Sequence, residues 1–192
     1  MGPMRDLPTL ELPDRQAWSE WLAEHHHSSS GVWLKIAKKG APRRTVTYAH
    51  ALEEALCHGW IDGQKRSYDE AFWLQRFTPR GPRSKWSRVN REKAQRLVAE
   101  RRMQPAGQAQ IEAAIKDGRW EGAYASQSSV TVPEDFALAL DRNPAAGEFF
   151  STLGSSQRYS FLYRIYDAKR PETRARRIEQ YVAMLAEHRT LH

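Results

Sequence analysis

The chain has 192 residues, 40% of them hydrophobic and 28% charged, with one cysteine and a formal net charge of +7. This composition excludes a wholly disordered chain and an intramolecular disulfide, and no apolar run approaches the roughly 20 residues that a membrane span requires. We therefore expect a soluble cytoplasmic protein of one domain or two small ones, without a secretory signal.

The first part of the chain alternates between helical and strand-like patterns. After an extended lead-in over residues 1–12, Asp14 is placed to cap a helix whose apolar residues repeat every three or four positions. A second helix is predicted from Thr47 to about Gly59, with Glu53 and Glu54 on its outer side. Three β-prone runs predict a small sheet, and they cover residues 32–37, 60–62 and 70–78.

The rest of the chain predicts helices. An irregular stretch, 79–84, contains two prolines and a glycine, and two helical patterns follow it and end near residues 103 and 118. The apolar positions that we expect to face inward are Trp86, Val89, Leu97, Val98, Ile111, Ala114 and Ile115. Four further helices are predicted at 133–141, 144–153, 155–168 and 171–189.

These patterns together predict an α+β fold, in which a small N-terminal sheet with helices precedes an all-helical C-terminal module. We place the α+β domain at residues 1–118 and the helical domain at residues 119–192.

The positive charge is concentrated in one segment of the predicted α+β domain. Residues 76–102 carry 10 basic and 2 acidic side chains, a net charge of +8, whereas residues 1–75 have a net charge of −1 and residues 103–192 a net charge of zero. A local excess of this kind attracts phosphates, carboxylates or an acidic partner. The alternative is that these arginines line the solvated face of a helix and increase solubility.

Two histidine-containing clusters have simpler structural interpretations. The run His25–His27 contains metal-binding side chains, but adjacent residues of a helix cannot all face one ion, so a polar helix end is favoured. Cys57 and His58 also point apart on a helix, which favours a small buried thiol over a catalytic pair. We predict no metal, no cofactor and no catalytic residue.

The candidate binding residues lie around two segments, 59–63 and 75–91. In an extended strand Trp60 and Asp62 share a face and could hold a cation or a base edge, or Asp62 could pair internally with an arginine. The start of the following helix mixes guanidinium groups, hydroxyls and an indole, which suits an anion or single-stranded nucleic acid. The predicted ligand-binding residues are Trp60, Asp62, Arg76, Thr78, Arg80, Lys85, Trp86, Asn90 and Arg91.

Several segments occur in an order that is typical of one bacterial family. They are Gly-Val-Trp-Leu-Lys-Ile-Ala-Lys-Lys-Gly (31–40), Ala-Leu-Cys-His-Gly-Trp-Ile-Asp-Gly-Gln (55–64), Gln-Arg-Phe-Thr-Pro-Arg (75–80), Ser-Lys-Trp-Ser-Arg-Val-Asn-Arg (84–91), Gly-Arg-Trp (118–120) and Ala-Lys-Arg-Pro-Glu-Thr-Arg-Ala-Arg-Arg-Ile (168–178). In this order they resemble the YdeI/OmpD-associated, or bacteriocin-protection, family over about residues 18–185. Arg101 departs from the pattern, since it stands where the family has glycine before Arg102 and Met103.

The resemblance implies an N-terminal α+β portion and a C-terminal helical module of the bacteriocin-protection or OmpD-associated kind. It carries no catalytic residues over to this chain, because the family description records a protection or association phenotype and not a reaction. Any connection with the cell envelope would be indirect.

Three functional hypotheses follow. The first is a cytoplasmic binding protein for an anionic ligand or nucleic acid, linked by the resemblance to stress or antimicrobial tolerance. The second is an enzyme with a cleft between residues 59–63 and 75–90, in which Asp62 is the general base and arginines stabilise developing negative charge. The third is a scaffold whose C-terminal helices bind a protein partner through residues 169–177.

Overall fold

The computed structural model describes residues 7–125 and 129–191 and divides into two compact units. The first unit contains residues 7–86 and 90–122, and the second contains residues 87–89 together with those from Ala123 onward. The fold is α+β, with a small sheet in the first unit and four helices in the second.

Strands and helices alternate in the first unit. The strands are β1 (Thr9–Leu10), β2 (Val32–Ala37), β3 (Trp60–Ser67) and β4 (Phe72–Pro79). The helices are α1 (Arg15–His25), α2 (Tyr48–Cys57), α3 (Arg88–Ala99) and α4 (Pro105–Lys116). Asp14 and Thr47 cap α1 and α2 through their side chains, as their sequence positions predict.

The four strands form one sheet in the order β1-β2-β4-β3. β1 runs parallel to β2, while β4 pairs antiparallel with both β2 and β3. The prediction of three strands was incomplete, because β1 has two residues within the lead-in and too little sequence to show a pattern. β3 also continues beyond the predicted 60–62 to Ser67, because pairing with β4 compensates for a sequence of low strand propensity.

Large aromatic side chains fill the core between the sheet and the helices of the first unit. Trp18 is fully buried, and its ring centroid lies 5.6 Å from that of Phe77 and 6.4 Å from that of Trp60. Its indole Nε1 donates a hydrogen bond to the Ala51 carbonyl at 3.0 Å, so α1 is fixed to α2 as well as to the sheet.

Three predicted inward positions are wrong. Val89 and Val98 are each 43% exposed, and Ile115 is 53% exposed. In α3 the buried positions are Ala94 and Leu97, which are three residues apart and share a face, whereas Val98 lies one position further around the helix. On α4, Ile115 directly follows the buried Ala114. Adjacent side chains of a helix point in different directions, so Ile115 faces solvent.

The second unit contains four helices, as predicted: α5 (Glu134–Asp141), α6 (Pro144–Thr152), α7 (Ser155–Asp167) and α8 (Pro171–Ala186). They share a core that includes Phe136, Phe150, Phe161, Ile165 and Leu185. Across the described part of the chain, no helix combines the length and the apolar character that crossing a membrane requires.

Candidate functional site

Trp60 and Asp62, which were predicted to share a binding face, differ in their exposure to solvent. Trp60 is 1% exposed and donates an indole hydrogen bond to the His26 carbonyl at 3.1 Å, so its ring belongs to the core. Asp62 is half-buried and accepts a hydrogen bond from the Tyr48 hydroxyl at 2.7 Å. Burial raises the pKa of the Tyr48 hydroxyl, and the hydrogen bond to Asp62 raises it further. Among the residues that the structure describes, no arginine hydrogen-bonds Asp62.

The strand register separates Asp62 from Arg76. Asp62 lies opposite Phe77 in the register of β3 and β4, and the Phe77 ring contacts Trp18 of α1. We call the face of the sheet that packs against α1 the inner face. Arg76 is the neighbour of Phe77 in β4 and therefore lies on the opposite, outer face. Thr78, also on the outer face, is directed at Gly31, since a Cβ at that glycine would lie 2.7 Å from the Thr78 methyl carbon. The sheet therefore does not join these residues into one cleft around Asp62.

Arg80 and Trp86 are buried against each other. Arg80 is 6% exposed, and its guanidinium carbon lies 3.7 Å from the centroid of the Trp86 ring. Arg80 Nη1 also donates to the Lys85 carbonyl at 3.2 Å. Trp86 is 2% exposed and packs edge-on against Trp120 at 4.8 Å. These contacts order the irregular segment after β4, and they leave neither ring face of Trp86 open for a base.

The remaining predicted binding residues are Lys85, Asn90 and Arg91. The Lys85 side chain is exposed, and Asn90 is half-buried near the start of α3. Arg91 Nη1 donates to the Trp120 carbonyl at 3.1 Å. Arg91 thus connects α3 to the segment after α4.

Two arginines of the basic segment, Arg96 and Arg102, are neutralised by the acidic pair on α2. Glu53 accepts from Arg15, Arg96 and Arg102, and Glu54 accepts from Arg15 at 2.5 Å and from Arg102 at 2.8 Å. Glu54 is 7% exposed, so the expectation that it lies on the outer side of its helix was wrong. The reason is that Arg15 from α1 and Arg102 just after α3 cover it.

The histidine run and the cysteine have structural surroundings. Nδ1 of His25 and of His26 each donates to a carbonyl four residues earlier, at 2.9 Å, which is the geometry of a polar helix end. Cys57 is 1% exposed, and burial raises the pKa of its thiol to about 12. The thiol therefore stays protonated at neutral pH.

His58 makes the stability of the protein depend on pH. It is 6% exposed, and burial lowers its pKa below the ordinary 6.5. Because the unfolded chain takes up this proton more readily, the free energy of unfolding should fall as the pH drops below about 6.5. We expect the melting temperature of His58→Gln to decrease less than that of wild type between about pH 7.5 and about pH 5.5. The exposed His50→Gln variant is the control, and a slope like that of wild type in His58→Gln would contradict the prediction.

A cationic cleft lies at the edge of the sheet, beside the turn after β2. It has a volume of about 710 Å³, and four of its seven lining residues are basic: Ala37, Lys38, Lys39, Lys65, Arg66, Ser67 and Trp73. Trp73 is half-buried, so part of its ring faces the cleft, and Lys65 Nζ lies 4.3 Å from the ring centroid.

The cleft has no acidic lining residue. The nearest carboxylate in sequence, Asp69, accepts hydrogen bonds from the backbone amides of Ala71 and Phe72 at 2.8 and 2.7 Å and so closes the β3–β4 turn. Lys38 Nζ donates to the Asp69 carbonyl oxygen at 2.6 Å, which holds that lysine beside the turn. The cleft is therefore a positively charged depression around an aromatic ring.

Sequence reasoning missed this cleft. Lys38 and Lys39 are separated from Lys65 and Arg66 by a whole helix, and all four lie in a segment whose net charge is −1. The antiparallel register brings them together, because Trp73 lies opposite Ile36 on one side and Ser67 on the other. The available signal was the presence of two basic dipeptides, Lys38-Lys39 and Lys65-Arg66, with the aromatic pair Phe72-Trp73 shortly after the second of them.

The second unit has a groove between α5 and α8. Ala139, Ala175, Ile178 and Val182 contribute to its apolar lining, and an ion pair between Arg174 and Asp135 at 2.5 Å lies beside it. Arg174, within the predicted docking segment 169–177, is thus occupied inside the unit. Protein binding through the C-terminal helices stays a prediction.

An α+β unit with a cationic cleft, followed by a separate helical unit, defines a two-part protein. A family model described as "Bacteriocin-protection, YdeI or OmpD-Associated" matches residues 129–188, within the second unit, and confirms the resemblance there. A model described as "Domain of unknown function (DUF8412)" matches residues 10–110. Because this second match covers more than half of the chain, the protein belongs to the DUF8412 family. No curated protein and no solved structure matches the chain.

Proposed function

We propose that the first unit binds single-stranded nucleic acid through the cationic cleft. The observation that supports this proposal is the partly exposed ring of Trp73 among Lys38, Lys39, Lys65 and Arg66, without an acidic lining residue. Single strands bind through bases that stack on aromatic rings and through phosphates that pair with basic side chains. The cleft offers both kinds of contact within one depression.

Charge balance favours the cleft over the basic segment as the principal anion site. Arg96 and Arg102 pair with glutamates, Arg80 is buried on Trp86, and Arg91 bonds a backbone carbonyl. In the cleft the lysines at 38 and 39 are exposed, and no ion pair is formed by either of them or by Lys65 in the part of the chain that the structure describes. A phosphate entering the cleft would therefore not have to displace a carboxylate.

The biological setting that we propose follows the family description of the second unit. The words bacteriocin-protection suggest that binding by the first unit serves tolerance to an antimicrobial protein. We place this activity in the cytoplasm, where the buried Cys57 would stay reduced. Loss of tolerance in cells that carry the cleft variant below, at unchanged protein level, would support the link.

The direct test is binding of labelled oligo(dT) and oligo(rU), each about 10 nucleotides long, followed by fluorescence anisotropy at about 50 and about 200 mM salt. For wild type we expect binding that weakens steeply with salt, because each phosphate contact adds about 0.7 to the slope of log K against log salt. The triple variant Lys38→Gln/Lys39→Gln/Lys65→Gln should lose about 2 units of that slope.

The matched control is Lys116→Gln/Lys169→Gln, which removes exposed lysines that do not line the cleft. It should bind like wild type. If wild type does not bind either oligonucleotide at the lower salt concentration, or if control and cleft variants weaken binding equally, the proposed function is wrong.

A further inference from the structure

The outer face of the sheet carries two arginines, Arg66 on β3 and Arg76 on β4. Within residues 7–125 and 129–191, neither guanidinium forms an ion pair with a carboxylate. Three other arginines of the first unit behave differently, because Arg15, Arg96 and Arg102 converge on the acidic pair of α2. Within the described residues, the fold therefore holds Arg66 and Arg76 in place while no carboxylate neutralises their charge.

Arg76 is positioned by the absence of a side chain on the neighbouring strand. A Cβ at Gly63 would lie 2.9 Å from Arg76 Nε and 3.2 Å from Nη2, so the guanidinium rests against the backbone of β3. Arg76 Nε is buried and has no hydrogen-bond partner. Burial fixes the stem of the side chain, while the residue as a whole remains partly exposed. A preset guanidinium fork is the group that binds phosphate oxygens with two parallel hydrogen bonds.

Arg66 is positioned by an aromatic ring. Its guanidinium carbon lies 4.2 Å from the centroid of the Trp33 ring, and Trp33 lies directly opposite Arg76 in the register of β2 and β4. The Arg66 guanidinium therefore lies over the residue that pairs with Arg76, on the same face of the sheet. The Arg66 side chain is exposed to solvent.

The edge strand connects this face to the cleft. β3 is the last strand of the sheet, and its residues from Gly63 to Ser67 are exposed. Successive side chains of a strand point to opposite faces, so Lys65 reaches Trp73 on the inner face while Arg66 reaches Trp33 on the outer face. Cations on both sides of one exposed strand form a path around the sheet edge.

We propose that a single-stranded nucleic acid in the cleft continues around β3 past Arg66 and places a further phosphate on Arg76. This extension rests on the proposed function of the cleft. It assigns the cleft, which Arg66 also lines, to one nucleotide or a few, and Arg76 to a nucleotide further along the strand. The protein then distinguishes a strand from a mononucleotide by length.

The test compares short and long oligonucleotides on Arg76→Gln, which leaves every residue that lines the cleft unchanged, using oligo(dT) of about 3 and about 10 nucleotides. We expect the variant to bind the long strand roughly threefold more weakly at low salt, with a slope reduced by about 0.7, because one phosphate contact is lost. Binding of the short strand should stay within about twofold of wild type, since the cleft residues are intact.

Two further variants keep the test informative if Arg76→Gln disturbs the sheet. Gly63→Ala retains both charges but displaces the Arg76 guanidinium, so it should weaken binding of the long strand selectively. Arg83→Gln removes an exposed arginine of the basic segment and should not affect either strand.

The outcomes separate the two proposals. If wild type binds both strands, and neither Arg76→Gln nor Gly63→Ala weakens the long one selectively, only the extension is overturned. In that case Lys65, Arg66 and the β-bulge between Asp62 and Lys65 would serve to protect an exposed sheet edge from self-association. If wild type binds neither strand, the proposed function fails, and the extension fails with it.

Discussion

Replacing Gly107 with alanine should destabilise the first unit by about 3 kcal/mol, because overpacking of a tight contact costs roughly 1–3 kcal/mol and this contact involves backbone. A Cβ at Gly107 would lie 2.3 Å from the Cys57 carbonyl oxygen and 2.6 Å from that of Leu56. Both oxygens belong to the end of α2, so α4 would have to move away from it. The gain in helix propensity, about 1 kcal/mol, is too small to compensate.

Thermal unfolding followed by circular dichroism measures this effect. The matched control is Gly147→Ala, a second helical glycine, where the nearest non-local atom, the Leu140 carbonyl oxygen, would lie 3.3 Å from the new Cβ. There the propensity gain and the tight contact should nearly cancel, within about 1 kcal/mol. Equal melting temperatures for the two variants would show that α2 and α4 are not packed as closely as described.

The helices and the fold class could be read from the sequence because their signals are local. Asp14 and Thr47 mark helix starts through their capping side chains, and the four C-terminal helices follow from proline positions and apolar spacing. The extent of β3 was not visible. Its sequence after Asp62 is polar and contains Gly63, so only the partner strand β4 makes it a strand.

The candidate site was harder to predict, because charge was counted along the chain and not through space. The segment 76–102 has the largest local charge, yet Arg96 and Arg102 are neutralised by α2, whose sequence position is more than forty residues away. Conversely, the cleft draws its lysines from a segment with a net charge of −1. Of the predicted binding residues, Arg76 is the one that also belongs to the surface proposed to bind a ligand.

Removing the acidic pair of α2 should have the second large effect on stability. Among the described residues, Glu53→Gln/Glu54→Gln would leave Arg15 without an ion-pair partner, and Arg96 and Arg102 would share the single carboxylate of Glu100. Breaking buried ion pairs costs about 3–5 kcal/mol, and the partial exposure of these arginines reduces our expectation to about 2 kcal/mol. Chemical denaturation at neutral pH measures the loss, and Glu112→Gln, whose exposed partner is Gln108, should be close to neutral.

The same network determines how this loss depends on pH. Burial opposes ionisation of Glu53, but hydrogen bonds from Arg96 and Arg15 prevail and lower its pKa below the ordinary 4.5. A carboxyl whose pKa is lower in the folded state stabilises the protein above its unfolded pKa, and this contribution is lost as the pH falls through the folded value. The stability difference between wild type and Glu53→Gln/Glu54→Gln should therefore be greatest near neutral pH and should shrink below about pH 4. A difference that is constant with pH would mean that the two glutamates act through packing, and that the excess charge of α3 is left unneutralised by α2.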